Sequence, residues 1–296
     1  MRSREENTMS TNIEETKKEN PLGTEPVGKL LRKFAVPSII SMLVMSLYNI
    51  VDQIFIGQTV GTLGNAATNV AFPLTTLCLA TALAFGIGGA SGFNLNLGAG
   101  NKDKAPYFIG NALSMMAIIG IVLAVIASTA MKPLLLFFGS TDKVLPYAME
   151  YTRFIALGFP FAIISAGGSH LVRADGSPNF SMACNLVGAV TNVVLDYVFV
   201  IVLKGGMTGA AVATIIGQIL ASIMVIYYMF HYKTVKLEKK HYIPKGKIIG
   251  RTVHLGMAQS LNQLAIMIVQ IVMNQSLTHY GSLSVYGADI PLACTG

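Results

Sequence analysis

Apolar residues in this chain gather into long runs, without the alternation of a half-buried strand or the one-sided stripe of a soluble helix. Seven such runs stand out, at roughly 34–56, 66–97, 107–131, 147–171, 179–203, 207–231 and 252–277, and about 20 mostly apolar residues suffice to carry a helix across the hydrocarbon core. The pattern predicts an all-α, polytopic membrane protein. Turn-forming stretches such as "GAGNKDKAP" and "RADGSP" separate the runs. The second run is too long for one straight crossing and contains "FGIGGASG", which predicts a break, a tilt or an extension past the membrane.

Composition agrees with this reading. Of the 296 residues 53% are hydrophobic and only 12% charged, whereas a soluble domain spends about a quarter of its residues on charge. The net charge of +7 does not imply nucleic acid, because the basic residues lie between the apolar runs and form no single face. With the N-terminus inside, 17 of the 21 lysines and arginines fall on the inner side and only Lys132, Lys143, Arg153 and Lys204 on the outer, which predicts a cytoplasmic N-terminus in the cytoplasmic (inner) membrane. Cys78, Cys184 and Cys294 have no metal-ligand spacing and read as packing residues. "GTEPVGKL" has the spacing of a phosphate loop, yet it ends in leucine where a magnesium-binding hydroxyl is needed and follows no strand. Gly88 and Gly92, in small-xxx-small spacing, read as helix packing. His170, His254 and His279, near run ends, read as interfacial residues rather than proton relays.

Four segments follow. Residues 1–33 are a polar cytoplasmic tail, 34–231 a six-helix bundle, 232–251 a basic cytoplasmic linker, and 252–296 the start of a second bundle, comprising a seventh helix and the beginning of an eighth. Sliding the chain by 218 residues lays "GKLLRKFAVP" over "GKIIGRTVHL", a weak echo of the repeats on which many transporters are built. The sequence stops at "IPLACTG", inside the eighth run, and reads as a piece of a longer protein.

Two aspartates lie within the runs, Asp52 in "YNIVDQIFIG" and Asp196 in "NVVLDYVFV". A charge at the bilayer centre costs about 2.5–3.5 kcal/mol on insertion scales, so such residues usually mark ion or proton paths. The plainer reading, that each acid only ties helices together, gains about 0.6 kcal/mol per hydrogen bond. Asn192 lies four residues before Asp196 and therefore on its face, as Tyr48 does before Asp52 and Thr214 before Gln218. Convergence of these faces would assemble carboxylate, amide and hydroxyl oxygens, hard donors that suit sodium or a proton and poorly suit a soft metal.

These stretches resemble the MATE family of multidrug and toxin extrusion transporters, and its bacterial multidrug-export branch in particular. The resemblance rests on "VDQIFIG", on "RADGSPNFSMACNLVGAVTNVVLDYVFV" and on "GMTGAAVATIIGQ". It implies a full protein of twelve helices in two bundles facing a central cavity, exchanging a proton or sodium ion for a lipophilic or cationic drug by alternating access. It also implies a cation site at Asp52, Asn192, Asp196 and Thr214, with Tyr48 and Tyr151 lining the pocket and Pro37 as a hinge of the first helix. No enzyme activity, cofactor or obligate protein partner is implied, only small organic cations, the coupling ion and the lipid bilayer. A flippase of lipid-linked precursors shares the architecture, but its pyrophosphate cargo calls for a cluster of arginines, of which the runs hold hardly any. An intramembrane aspartyl protease also uses two acids, and nothing here resembles its catalytic context.

Overall fold

A computed structural model describes residues 26–283 and 287–295, and every regular element among them is helical. The seven apolar runs become α1 (Val27–Thr59), α2 (Thr62–Gly98), α3 (Ala105–Thr129), α5 (Leu145–Ala174), α6 (Pro178–Asp196, continued by a π-helical segment, Tyr197–Val202), α7 (Gly206–Phe230) and α8 (Gly246–Ser282). All seven are long and apolar enough to cross a membrane. Two short helices, α4 (Met131–Phe137) and α9 (Asp289–Cys294), and a 3₁₀ turn at Lys239–Tyr242 fill connections. Helices α3, α5 and α6 each begin with proline in the first two positions, where its missing N–H is not needed. Of the expected polar tail, residues 1–25 lie outside the described residues, while Val27–Lys33 already form the first turns of α1. Likewise Gly246–Arg251, at the end of the basic linker, belong to α8. A helix runs on through polar residues once nucleated, past the edge of the apolar window.

The long second run is one unbroken helix. Its 37 residues span about 55 Å at 1.5 Å per residue, so the excess length is taken up by extension rather than by a break. Its glycines lie against close neighbours. A Cβ on Gly86 would fall 2.7 Å from Gly167 Cα of α5, one on Gly89 2.7 Å from Ala112 Cβ of α3, and one on Gly92 among the Phe108 ring atoms. Gly88 faces the Thr252 carbonyl of α8, and Gly256 of α8 faces the Ala84 carbonyl. The glycine stripe thus lets α2 touch three helices at backbone distance, the packing solution used where lipid supplies no hydrophobic drive. Helix α2 is the central post of the molecule, with α3, α5, α8 and α9 around it, and α5 carries α7 on its other side. By contrast α1 leans chiefly on α6 and touches α2 and α7 only sparingly.

A polar knot ties α2 to α8 and α9. Asn69 is buried, and its Nδ2 donates to the Leu292 carbonyl at 2.8 Å and to Thr295 Oγ1 at 2.7 Å. Its Oδ1 accepts from Gln270 Nε2, and Asn274, fully buried, lies beside it. In the 218-residue register Gln270 stands opposite Asp52, so the amide takes a structural place where the first bundle has an acid.

The basic linker is strapped to the bundle. Asp175 Oδ2 accepts from the Lys233 amide at 2.7 Å and from Tyr228 Oη at 2.8 Å, and Oδ1 accepts from the Thr234 amide at 2.9 Å. Farther along, Asn111 of α3 donates to the His241 and Ile243 carbonyls and accepts from the Lys245 amide at 2.6 Å. His241 is buried edge-on against Tyr107, and its Nδ1 accepts from the Glu238 amide at 2.9 Å. Burial, with Lys240 and Lys245 adding to it against the opposing pull of Glu238, holds this imidazole below its ordinary 6.5.

The packing and the strap can each be tested. Gly256→Val should lower the melting temperature in detergent, by overpacking of about 1–3 kcal/mol, whereas Gly250→Ala, with nothing within 4 Å of its Cβ, should leave it unchanged. Because the folded His241 resists protonation, the strap keeps its full support above pH 6.5 and loses it as pH falls through 6.5 toward the lower folded value. Hydrogen exchange in residues 238–245, corrected for intrinsic rate, should therefore quicken between pH 7.5 and 5.5, and His241→Gln should flatten that dependence.

Candidate functional site

Counting along the helices places the predicted residues at one level. Asp52 lies seven residues before the end of α1 at Thr59, and Asp196 six before Val202. Thr214 lies eight after the start of α7 at Gly206, and Tyr151 six after the start of α5 at Leu145. Each offset is about 9–12 Å of helix at 1.5 Å per residue, and successive spans run in opposite senses, so all four sit near the same end of the bundle. They lie in the half of each span next to that end.

The helices bring these residues together in one buried cluster. Asp52, Asn192 and Asp196 are 7%, 3% and 0% exposed, and the Asp52 and Asp196 carboxyl groups lie within interaction range of each other. Asn192 Nδ2 donates to Thr214 Oγ1 at 3.2 Å. Tyr151 of α5 is buried and Tyr48, one turn before Asp52, is half-buried; both stand within electrostatic reach of the two carboxyls. Two polar neighbours of these residues, Asn49 beside Tyr48 and Gln218 one turn from Thr214, turn elsewhere. Asn49 is exposed and donates to its own helix at Met45 O, and Gln218 lies against Gly158 of α5.

Backbone contacts fix this arrangement. Gly188 of α6 and Gly217 of α7 face each other, and a Cβ on Gly217 would fall 2.7 Å from the Gly188 carbonyl and 3.3 Å from Asn192 Cβ. That approach is what lets the short Asn192 side chain reach Thr214. Asp196 is the last α-helical residue before the π segment, where the Leu203 amide bonds back five residues to the Val198 carbonyl at 2.9 Å. Such widened turns recur at functional sites. Nothing in the run of β-branched and aromatic residues after Asp196 signals it in the sequence.

The cluster is unbalanced in hydrogen bonding. Among the described residues no donor reaches Asp196 Oδ1, Asp196 Oδ2, Asp52 Oδ1 or Asn192 Oδ1, although all four atoms are buried. Asp52 Oδ2 receives only a long bond, 3.4 Å, from Gln53 Nε2. Gln53 Oε1 in turn accepts from Thr68 of α2 at 2.9 Å. Gln53 and Thr68 were not singled out by sequence reasoning; the only signal was the α1–α2 hairpin, which sets them on facing helices. All the vacant acceptors are oxygen, a set suited to a hard cation or a proton.

The fold and this cluster define a multi-pass helical membrane protein of the transporter type. The MatE family model matches residues 37–198, and the chain belongs to that family. Among curated relatives it is 25% identical over 264 residues to the "Probable multidrug resistance protein YoeA" of Bacillus subtilis (strain 168), an alignment covering 86% of this chain and 57% of that protein. It is 23% identical over 270 residues to the "Multidrug export protein MepA" of Staphylococcus aureus (strain MRSA252), covering 90% and 60%. The chain therefore spans 57–60% of the length of these relatives. Among solved structures it superposes on a ligand complex of the MATE multidrug transporter DinF-BH with a TM-score of 0.85 and 32% identity, over 93% of this chain and 60% of that one. These relatives are transporters and not enzymes.

Gly217→Val should push α7 off α6 and break the Asn192–Thr214 bond. Spin labels on the two helices should then report a longer separation in double electron–electron resonance, with α2–α8 distances unchanged.

Proposed function

We propose that this chain provides the ion-coupling bundle of an antiporter that exports lipophilic or cationic drugs across the cytoplasmic membrane. One observation carries the reading: two buried carboxyl groups on different helices face each other with three of their four oxygens unpartnered. Two like charges about 4 Å apart repel by about 4 kcal/mol at an effective dielectric near 20. A proton or a sodium ion between Asp52 and Asp196 removes that repulsion and fills the vacant acceptors, with the Asn192 carbonyl as a further ligand and the Thr214 hydroxyl holding the Asn192 amide.

Such an ion does work only if it binds the inward and outward shapes unequally. Helix α1 is the element able to supply the difference, since it rests mainly on α6 and carries Pro37 in its interior. Tyr48 and Tyr151 add amphipathic walls beside the acids, and the names of the relatives, multidrug export and multidrug resistance proteins, support drugs as cargo. The excess of basic residues on one side of the spans supports a cytoplasmic N-terminus.

Asp52→Asn and Asp196→Asn, each isosteric and uncharged, should abolish efflux of a cationic dye from cells expressing the gene while leaving membrane insertion and yield intact. Efflux unchanged in both variants refutes the coupling role.

A further inference from the structure

The α1–α2 hairpin carries a row of polar side chains that meets the acid cluster only at its last member, Gln53. Asn65 of α2 faces Gly57 of α1, where a Cβ would lie 3.1 Å from Asn65 Nδ2. One turn deeper, Thr68 Oγ1 donates to Gln53 Oε1 at 2.9 Å, sharing its hydrogen with the Asn65 carbonyl at the same distance. Gln53 then reaches Asp52 Oδ2. Gly57, Gln53 and Asp52 descend α1 from its end at Thr59, while Asn65 and Thr68 descend α2 from its start at Thr62. Gly57 and Gln53 are about one turn apart on α1 and Asn65 and Thr68 about one turn apart on α2, and Gln53 is the chain neighbour of Asp52, so the polar groups lead from the hairpin end of the bundle to the acid.

We propose that Asn65, Thr68 and Gln53 form the access track by which the coupling cation passes between the hairpin end and Asp52. This rests on the ion-coupling reading above. Residues that served only to join α1 to α2 would satisfy one another, yet Asn65 Oδ1 is buried without a donor and the Gln53–Asp52 bond is stretched to 3.4 Å. At the hairpin the apolar side of the crossing is closely packed, with Gly64 against Ile56 and Val60, and the polar row runs beside that contact. Amide and hydroxyl oxygens at one-turn spacing replace hydration water around a passing ion, as pore-lining carbonyls do. None of the three side chains carries a charge that would trap the ion before it reaches the acids. The distribution of lysine and arginine puts the hairpin end on the outer side.

The test compares Asn65→Leu, Thr68→Val and the double variant with the parent chain in proteoliposomes, measuring dye efflux against the sodium concentration, and separately against the proton concentration, on the hairpin side. The track predicts that the cation concentration for half-maximal efflux rises at least about fivefold, with the maximal rate at saturating cation retained. Asn65→Gln and Thr68→Ser should restore the parent value. Whichever of the sodium or proton series shows the shift identifies the ion. In a Cys294→Ser background, Asn65→Cys should react with a charged thiol reagent added from the hairpin side, and the coupling cation should slow that reaction. An unchanged half-saturating concentration in the double variant overturns the proposal, as does a lower maximal rate without any such shift, which marks a structural role. If Asp52→Asn abolishes efflux while the track variants keep the parent cation dependence, only the track fails; if Asp52→Asn still transports, the coupling reading itself fails.

Discussion

Burying an acid removes its hydration, and among the described residues no hydrogen-bond donor replaces that hydration at Asp196. Two carboxyl groups are held in mutual range by helices that contact each other through bare backbone at Gly188 and Gly217. An arrangement that served stability alone would pair each acid with a donor, because an unsatisfied buried polar group costs about 1–3 kcal/mol. Here Asn192 bonds Thr214 at one edge of the cluster, and its central oxygens have no donor among the described residues. The π segment that follows Asp196 belongs to the same arrangement, because it ends the regular α-helix at the acid itself.

The rest of the fold divides into a fixed frame and a loosely held helix. The frame is α2 with its glycine contacts to α3, α5 and α8, reinforced by the Asn69 knot and by the linker strap on Asn111 and Asp175. Against that frame α1 is held chiefly by α6, and the two acids face each other across that contact without a hydrogen bond between them.

Much of this was legible in the sequence, for reasons that differ from element to element. The seven spans were legible because hydrocarbon thickness fixes a minimum run of apolar residues. Asp52, Asn192 and Asp196 were legible because a carboxylate in such a run is expensive and helical spacing puts Asn192 on the Asp196 face. The ends of α1 and α8 were not, because helical hydrogen bonding continues through polar residues once the apolar window has passed. Gln218 sits one turn from Thr214 and still faces α5, since spacing fixes a shared stripe but not which neighbour each end of a stripe meets. The π turn, the Gln53–Thr68 link and the anchoring of the basic linker by Asn111 depend on how helices meet, which no local pattern encodes.

The linker shows how far charge alone can mislead about order. A segment this rich in lysine reads, from composition alone, as a solvated tether. Its backbone is instead fastened at two points, to Asp175 in the α5–α6 turn and to Asn111 on α3, while Lys236, Lys239 and Lys240 remain exposed. The fastening uses mainly linker backbone amides and carbonyls, so it is indifferent to the identity of most linker side chains. A linker held this way fixes where α8 begins relative to α3, and α8 meets α2 at Gly88 and Gly256. The start of the second bundle is thus fixed to the frame of the first at both the strap and the glycine crossing.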